Sequence, residues 1–204
     1  MALLQCSTAV RDARNDAGET AVGSAPIMRW YNGTMPANCA AASAGTLVAQ
    51  GTLPSDWMAA SSSGVKAKSG TWTVTGQSGA GNGTPAQYWR LFDSTGTTCH
   101  YQGPIGPGAG PTQAGTWSAG SASVTLSGAN AYIVPGMTAA ASGIQAGTVV
   151  ATISGTALVL SQNALVAGSG TTITFSADCT VDNPNIANAQ VATYSSFSIT
   201  DGNA

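Results

Sequence analysis

The sequence predicts a mainly β protein: an N-terminal helix plus an antiparallel β-sandwich or barrel, with a second small all-β domain inserted before the last strand. Three observations carry this. Short runs rich in Thr, Val, Ile, Trp and Tyr recur between Gly- and Pro-rich turns, which is strand-and-turn punctuation. Helical periodicity occurs near the start of the chain and not convincingly elsewhere. From Ser94 to Ala177 there is no Asp, Glu, Lys or Arg, in a stretch filled with Thr, Ser, Val and Gly.

The helix is read from Val10, Ala13, Ala17 and Ala21 at helical spacing, with Thr8 as its cap and Gly23 at its C-terminal stop. Its opposite face holds Arg11, Arg14, Asn15 and Glu19, so the alanine stripe is expected to pack on a sheet. Strands follow. Pro26 to Tyr31 ends at the turn signal Asn32-Gly33, and Gly45 to Leu53 stops at Pro54. Asp56 to Ala60 reads as a turn or hinge, Ser61 to Gly64 as a loop, and Gly79 to Gly83 as a flexible hairpin. Gly70 to Thr75, Gln87 to Phe92 and Thr97 to Gln102 are strands, the last two joined by a turn at Asp93 to Gly96. In Gln87 to Phe92, Trp89 and Leu91 alternate with Tyr88, Arg90 and Phe92, so both faces are expected to be partly covered.

Gly103 to Pro111 (GPIGPGAGP) alternates Gly with Pro, which argues against a central strand and for a linker or neck. Beyond it, Ala122 to Leu126, Ala131 to Val134, Thr148 to Ile153, Ala157 to Leu160 and Thr171 to Phe175 are five short strands. Gln190 to Thr200 then reads as one long strand, with Val191, Thr193, Ser195, Phe197 and Ile199 on one side and Asp201-Gly202 closing it. A lone strand is not stable, so it is expected to complete the first sheet. The expected domains are residues 1–111 plus 178–204, and an inserted unit of residues 112–177 at a loop tip.

Composition narrows the function. Charged residues are 7% of the chain, against about 25% in ordinary proteins, and the formal net charge is −2. Nucleic acid and anionic membranes are disfavoured, since both select clustered Lys and Arg. No window approaches the roughly 20 apolar residues of a membrane helix, and the opening Met-Ala-Leu-Leu-Gln-Cys lacks the basic leader of a signal peptide. Cys6, Cys39, Cys99 and Cys179 share no short metal-binding or redox spacing. They read either as buried thiols or as disulfides; three pairings are open, and Cys99 with Cys179 is the favoured one because the two flank the inserted segment. The single histidine, His100, does not make a triad. Asp12, Asp16 and Glu19 sit on one helix face, Asp56 and Asp93 at turns, and Asp178 and Asp182 beside Asn183-Pro184 suit turn capping better than a calcium contact shared with Asn185. No enzyme and no cofactor are expected.

Several blocks resemble small virion structural proteins of tailed bacteriophages and prophages: Ala2 to Ala17, Met35 to Ala40, Leu53 to Ala60, Asp93 to His100 and Phe197 to Asn203. Residues 112–177 fall outside that pattern and look like the Gly/Thr/Val-rich modules that decorate phage fibres and capsids. The resemblance implies a place in a particle, made in a host cytoplasm and exposed on the released virion. The first expectation is a capsid decoration protein on the major capsid protein lattice, as a trimer or other cyclic homo-oligomer. Tail, collar or fibre components with a glycan-contacting module are the alternative, and a secreted carbohydrate-binding module, for which Trp117 and Tyr132 are the available aromatics, is the third. Trp30, Tyr31, Trp57, Met58 and Trp72 are the candidate interface anchors, by the enrichment of aromatics at contact hot spots; the competing reading makes them core.

Overall fold

The computed structural model describes residues 5–201. Met1 to Leu4, where the leader was sought, and Gly202 to Ala204, including the expected closing turn, lie outside the described residues. The helix α1 spans Thr8–Val22; Ser7, not Thr8, is its N-cap, and Gly23 (φ 83°) ends it. The strands are β1 (Ile27–Asn32), β2 (Thr46–Thr52), β3 (Val65–Ala67), β4 (Thr73–Gly76), β5 (Thr84–Pro85), β6 (Tyr88–Phe92), β7 (Cys99–Pro107), β8 (Thr112–Trp117), β9 (Ser123–Leu126), β10 (Thr138–Ala140), β11 (Val150–Ser154), β12 (Ala157–Leu160), β13 (Gly168–Ser176), β14 (Cys179–Val181), β15 (Asn185–Ile186) and β16 (Val191–Thr200).

Eight strands form one sheet in the order β14-β7-β6-β1-β2-β4-β16-β3, and β14 also pairs with β16. That extra pairing joins the ends into a closed barrel, with β3 as an appendage on β16. The last strand is thereby held three times: by β4 at Val191 to Thr193, by β14 at Tyr194 to Phe197, and by β3 at Ser198 to Thr200. Inside, Phe197 packs on Trp72 and Trp89 with ring centroids 5.0 and 5.2 Å apart. Tyr194 meets Trp30 and Trp72 edge-on.

Strands β8 to β13 form a second sheet, β10-β13-β8-β9-β12-β11. A bridge between Thr138 and Val149 and hydrogen bonds from Val150 to Met137 and from Ala139 to Thr148 bring its two edges together, so this unit is also barrel-like. Val124, Leu126, Leu158, Leu160, Ile173 and Phe175 alternate inward, while Thr116, Thr125, Thr172 and Thr174 alternate outward. This second unit is the connection between β7 and β14, which run parallel with Ile105 opposite Cys179. Parallel neighbours cannot be joined by a hairpin and need a crossover; here an entire barrel is the crossover.

Four expectations are corrected. Residues 103 to 107 are not a neck but the second half of β7, in the middle of the first sheet. The prolines fall where the ladder does not need their N–H: Pro104 at the last rung with β6, Pro107 at the last rung with β14. Gly103 leaves room for the Trp89 indole, 3.0 Å from where a Cβ would stand. The turn is confined to residues 108–111, with Gly110 at φ 65°. Second, Asn32-Gly33 ends β1 but opens the loop of residues 33–45 instead of a tight hairpin. Third, Ala131 to Val134 is a loop that buries Ile133 and Val134, and β8 and β10 are strands that the sequence pattern did not single out. Fourth, β16 carries a bulge opposite Thr180 and Val181. It exposes both Ser195 and Ser196, so Ala192 and Tyr194 face inward before it and Phe197 after it.

Phe197→Ala is expected to lower stability by about 3–5 kcal/mol in urea unfolding, since it removes the ring between two indoles at the closing strand. Thr148 is fully buried and its hydroxyl has no partner. Thr148→Val should therefore stabilise the protein by roughly 1 kcal/mol or more in the same measurement.

Candidate functional site

The five candidate anchors are core residues. Trp30, Trp57 and Trp72 are wholly buried, and Met58 and Tyr31 nearly so. Their polar atoms are satisfied internally: Trp57 Nε1 donates to Gly23 O at 3.0 Å, Trp72 Nε1 to Ser69 O at 2.9 Å, and Trp30 Nε1 to Tyr194 Oη. Tyr31 stacks on Tyr88, whose hydroxyl is held by Ala44. Composition enriched these residues as contact candidates, but the narrow barrel needed the same large side chains to fill it. Trp117 is likewise buried and bonded to Val166 O at 2.9 Å, so it offers no exposed platform for a sugar.

The helix presents the reverse of the expected face. Val10, Ala13, Ala17 and Ala21 are exposed, and the polar face is docked. Lys66, buried on β3, donates to Asp16 Oδ1 at 2.6 Å and lies 2.8 Å from Glu19 Oε2. Asp12 Oδ1 accepts from Gly64 N at 2.7 Å and Ser61 Oγ at 3.0 Å, and Asn15 Nδ2 donates to Gly64 O at 3.0 Å. Arg14 pairs with Asp201 at 3.3 Å. A stripe of alanines gains little from burial, whereas a buried ammonium must find its counter-charge. Those acids lie on the helix face that the apolar spacing marked as outward.

Burial pulls the Lys66 amine down, but its bonds to Asp16 and Glu19 outweigh this and hold it above its ordinary value. The same bond to Lys66 holds the Asp16 carboxyl below its ordinary value. A raised amine stabilises the docked helix fully below its unfolded pKa and loses that contribution as pH rises through the folded one. A lowered carboxyl does so above its unfolded pKa and loses it as pH falls through the folded one. The latch is thus complete between about pH 4 and pH 10.

Several clefts open among the described residues. One, about 150 Å³, lies between the barrels, lined by Met35, Tyr88, Ile133 and Pro135. A second, about 290 Å³, is bounded by Trp89, Tyr101, Asp178 and Ile199. A third, about 310 Å³, holds Arg29, Arg90, Cys39, Ser43 and Cys99. Arg90 is buried and no carboxylate salt-bridges it among the described residues. Its guanidinium instead donates to Cys39 O, Ala41 O, Ser43 Oγ and Cys99 Sγ at 2.7–3.2 Å, gathering the loop of residues 33–45. Sequence reading missed this role; the one signal was an arginine in the middle of an otherwise apolar strand.

The structure does not join Cys99 to Cys179. Both are free thiols; Cys179 is wholly buried at the level of Ile105, far along β7 from Cys99. Asp93 and Asp182 serve turns: Asp93 accepts from Thr95 and Thr97, and Asp182 from Asn183 N and Thr193 N. His100 is partly exposed near the start of β7. Among the described residues, no group of three or more His, Cys, Asp or Glu could hold a metal ion, and no helix is long and apolar enough to cross a membrane.

No protein-family model matches the chain, no curated protein matches it, and no solved structure matches it.

Lys66→Met should cut hydrogen-exchange protection across residues 8–22 by about 10-fold or more, the worth of charged hydrogen bonds, while β1, β6 and β7 keep theirs. In the wild type, limited proteolysis of α1 should be slow at pH 7 and accelerate at both pH 3 and pH 11.

Proposed function

We propose that the chain is a structural protein of a bacteriophage particle, and within that class a head decoration protein seated on the major capsid protein lattice as a cyclic homo-oligomer. The observation that carries this reading is the surface of the inserted barrel, an outward face of threonine and serine with no charged side chain between Ser94 and Ala177. The resemblance of the five sequence blocks supports it. So does the use of Lys66 and Arg90 inside the fold, where they hold structure together and are not displayed to a substrate. A neutral, hydroxyl-rich, closed barrel offers no continuous sheet edge for strand addition and no acid–base pair for hydrolysis. It suits a module repeated over a lattice, where many weak contacts sum to avidity.

A second reading places the protein in a tail, collar or fibre. It draws on Leu165 and Val166, 66% and 62% exposed in a loop of the inserted barrel, as a host-facing apolar spot.

Quantitative mass spectrometry of purified particles separates the two. Stoichiometry comparable to the major capsid protein is the expected result and supports the head reading. A handful of copies per particle supports the tail reading, and absence from particles refutes both.

A further inference from the structure

We infer that Cys39 and Cys99 are a disulfide site, and that closing it clamps the loop of residues 33–45 onto β7. Cys39 lies in that loop and Cys99 opens β7, and both line the arginine-bearing cleft. One guanidinium brackets them: Arg90 Nη2 donates to Cys39 O at 2.7 Å while its Nε donates to Cys99 Sγ at 3.2 Å. The Cys99 thiol itself donates to Tyr101 O at 3.4 Å, and Cys39 is among the groups that raise its pKa. Cys179 is not an alternative partner, since it sits level with Ile105. Six residues of extended strand separate Ile105 from Cys99, about 20 Å, against the roughly 7 Å that a disulfide tolerates between Cα atoms.

The oxidant is an external disulfide such as oxidised glutathione, written R–S–S–R. The Cys39 thiolate attacks one of its sulfurs, forming Cys39–S–S–R and releasing RS⁻, which takes up the proton that Cys39 lost. Cys99 then gives its proton to solvent and attacks the Cys39 sulfur, expelling a second RS⁻, which is protonated in turn. Two electrons pass from the cysteine pair to the external disulfide, and two RSH leave. Burial, with Cys39 beside it, pushes the Cys99 thiol up to about 12 against the pull of Arg90. The site stands independently of the particle reading: it needs only that the folded chain meet an oxidising thiol–disulfide pool.

The test incubates the reduced, folded wild-type protein with oxidised glutathione at pH 8, followed by acid quench, alkylation in denaturant, intact mass and peptide mapping. The expected result is a loss of two hydrogens and one cross-linked peptide pair joining residues 39 and 99. The Cys99→Ser variant should instead accumulate a glutathione adduct at Cys39. Four alkylated thiols in the wild type, a cross-link that includes Cys6 or Cys179, or a wild-type adduct at Cys39 that never resolves would each overturn the proposal. The wild-type result decides it even if the variant fails to fold.

Discussion

The fold depends on β16 reaching back to close the first barrel. Its pairing with β14 converts an open sheet into a ring, and its pairing with β4 and β3 fixes where that ring stops. The aromatic core of the first barrel depends on this closure. Tyr194 and Phe197 enter the interior among Trp30, Trp72 and Trp89, so the aromatic core is completed only when the last strand is in place. Asp201, at its end, receives Arg14, which extends the same closure outward to α1. The entropy cost of bringing residue 200 back to residue 65 is set chiefly by chain length and grows only slowly with it. The inserted barrel can therefore lie between them without forbidding the ring.

The scarce charges are committed to architecture. Lys66 docks the helix through its polar face, and Arg90 holds a loop by its carbonyls instead of by a carboxylate. Buried cations of this kind are costly unless every donor finds a partner, and once satisfied they specify a single arrangement. What faces outward on the second barrel is largely hydroxyl and backbone, apart from the apolar Val159, Leu165 and Val166.

The sequence made the strand-rich architecture legible because alternation and turn residues are local signals. Tyr88 to Phe92 read as partly covered on both faces, and the cover goes further: all five residues of β6 are buried. The failures have a common physical source: they occur where a distant partner overrides the local pattern. Pro104 and Pro107 argue against a central strand in isolation, yet they are harmless where β7 hands over from β6 to β14. The alanine stripe of α1 was assigned to the core by spacing, but Lys66, more than forty residues away, selects the acidic face. The bulge at Ser195 and Ser196 inverts an alternation that the sequence shows as unbroken. Trp30, Trp57 and Trp72 could be read as anchors or as core, and only the diameter of a closed barrel distinguishes the two.

The parallel pairing of β7 and β14 has an evolutionary corollary. Because Ile105 and Cys179 are rung partners, the chain leaves for the second barrel and returns from it within a couple of residues of the same height on the wall. The exit and re-entry points act as a socket whose spacing is set by two adjoining strands and not by what is plugged into it. Replacing the inserted unit by one of quite different size would leave the ladder of the first barrel unchanged, so the insert can diverge without disturbing the barrel that carries it.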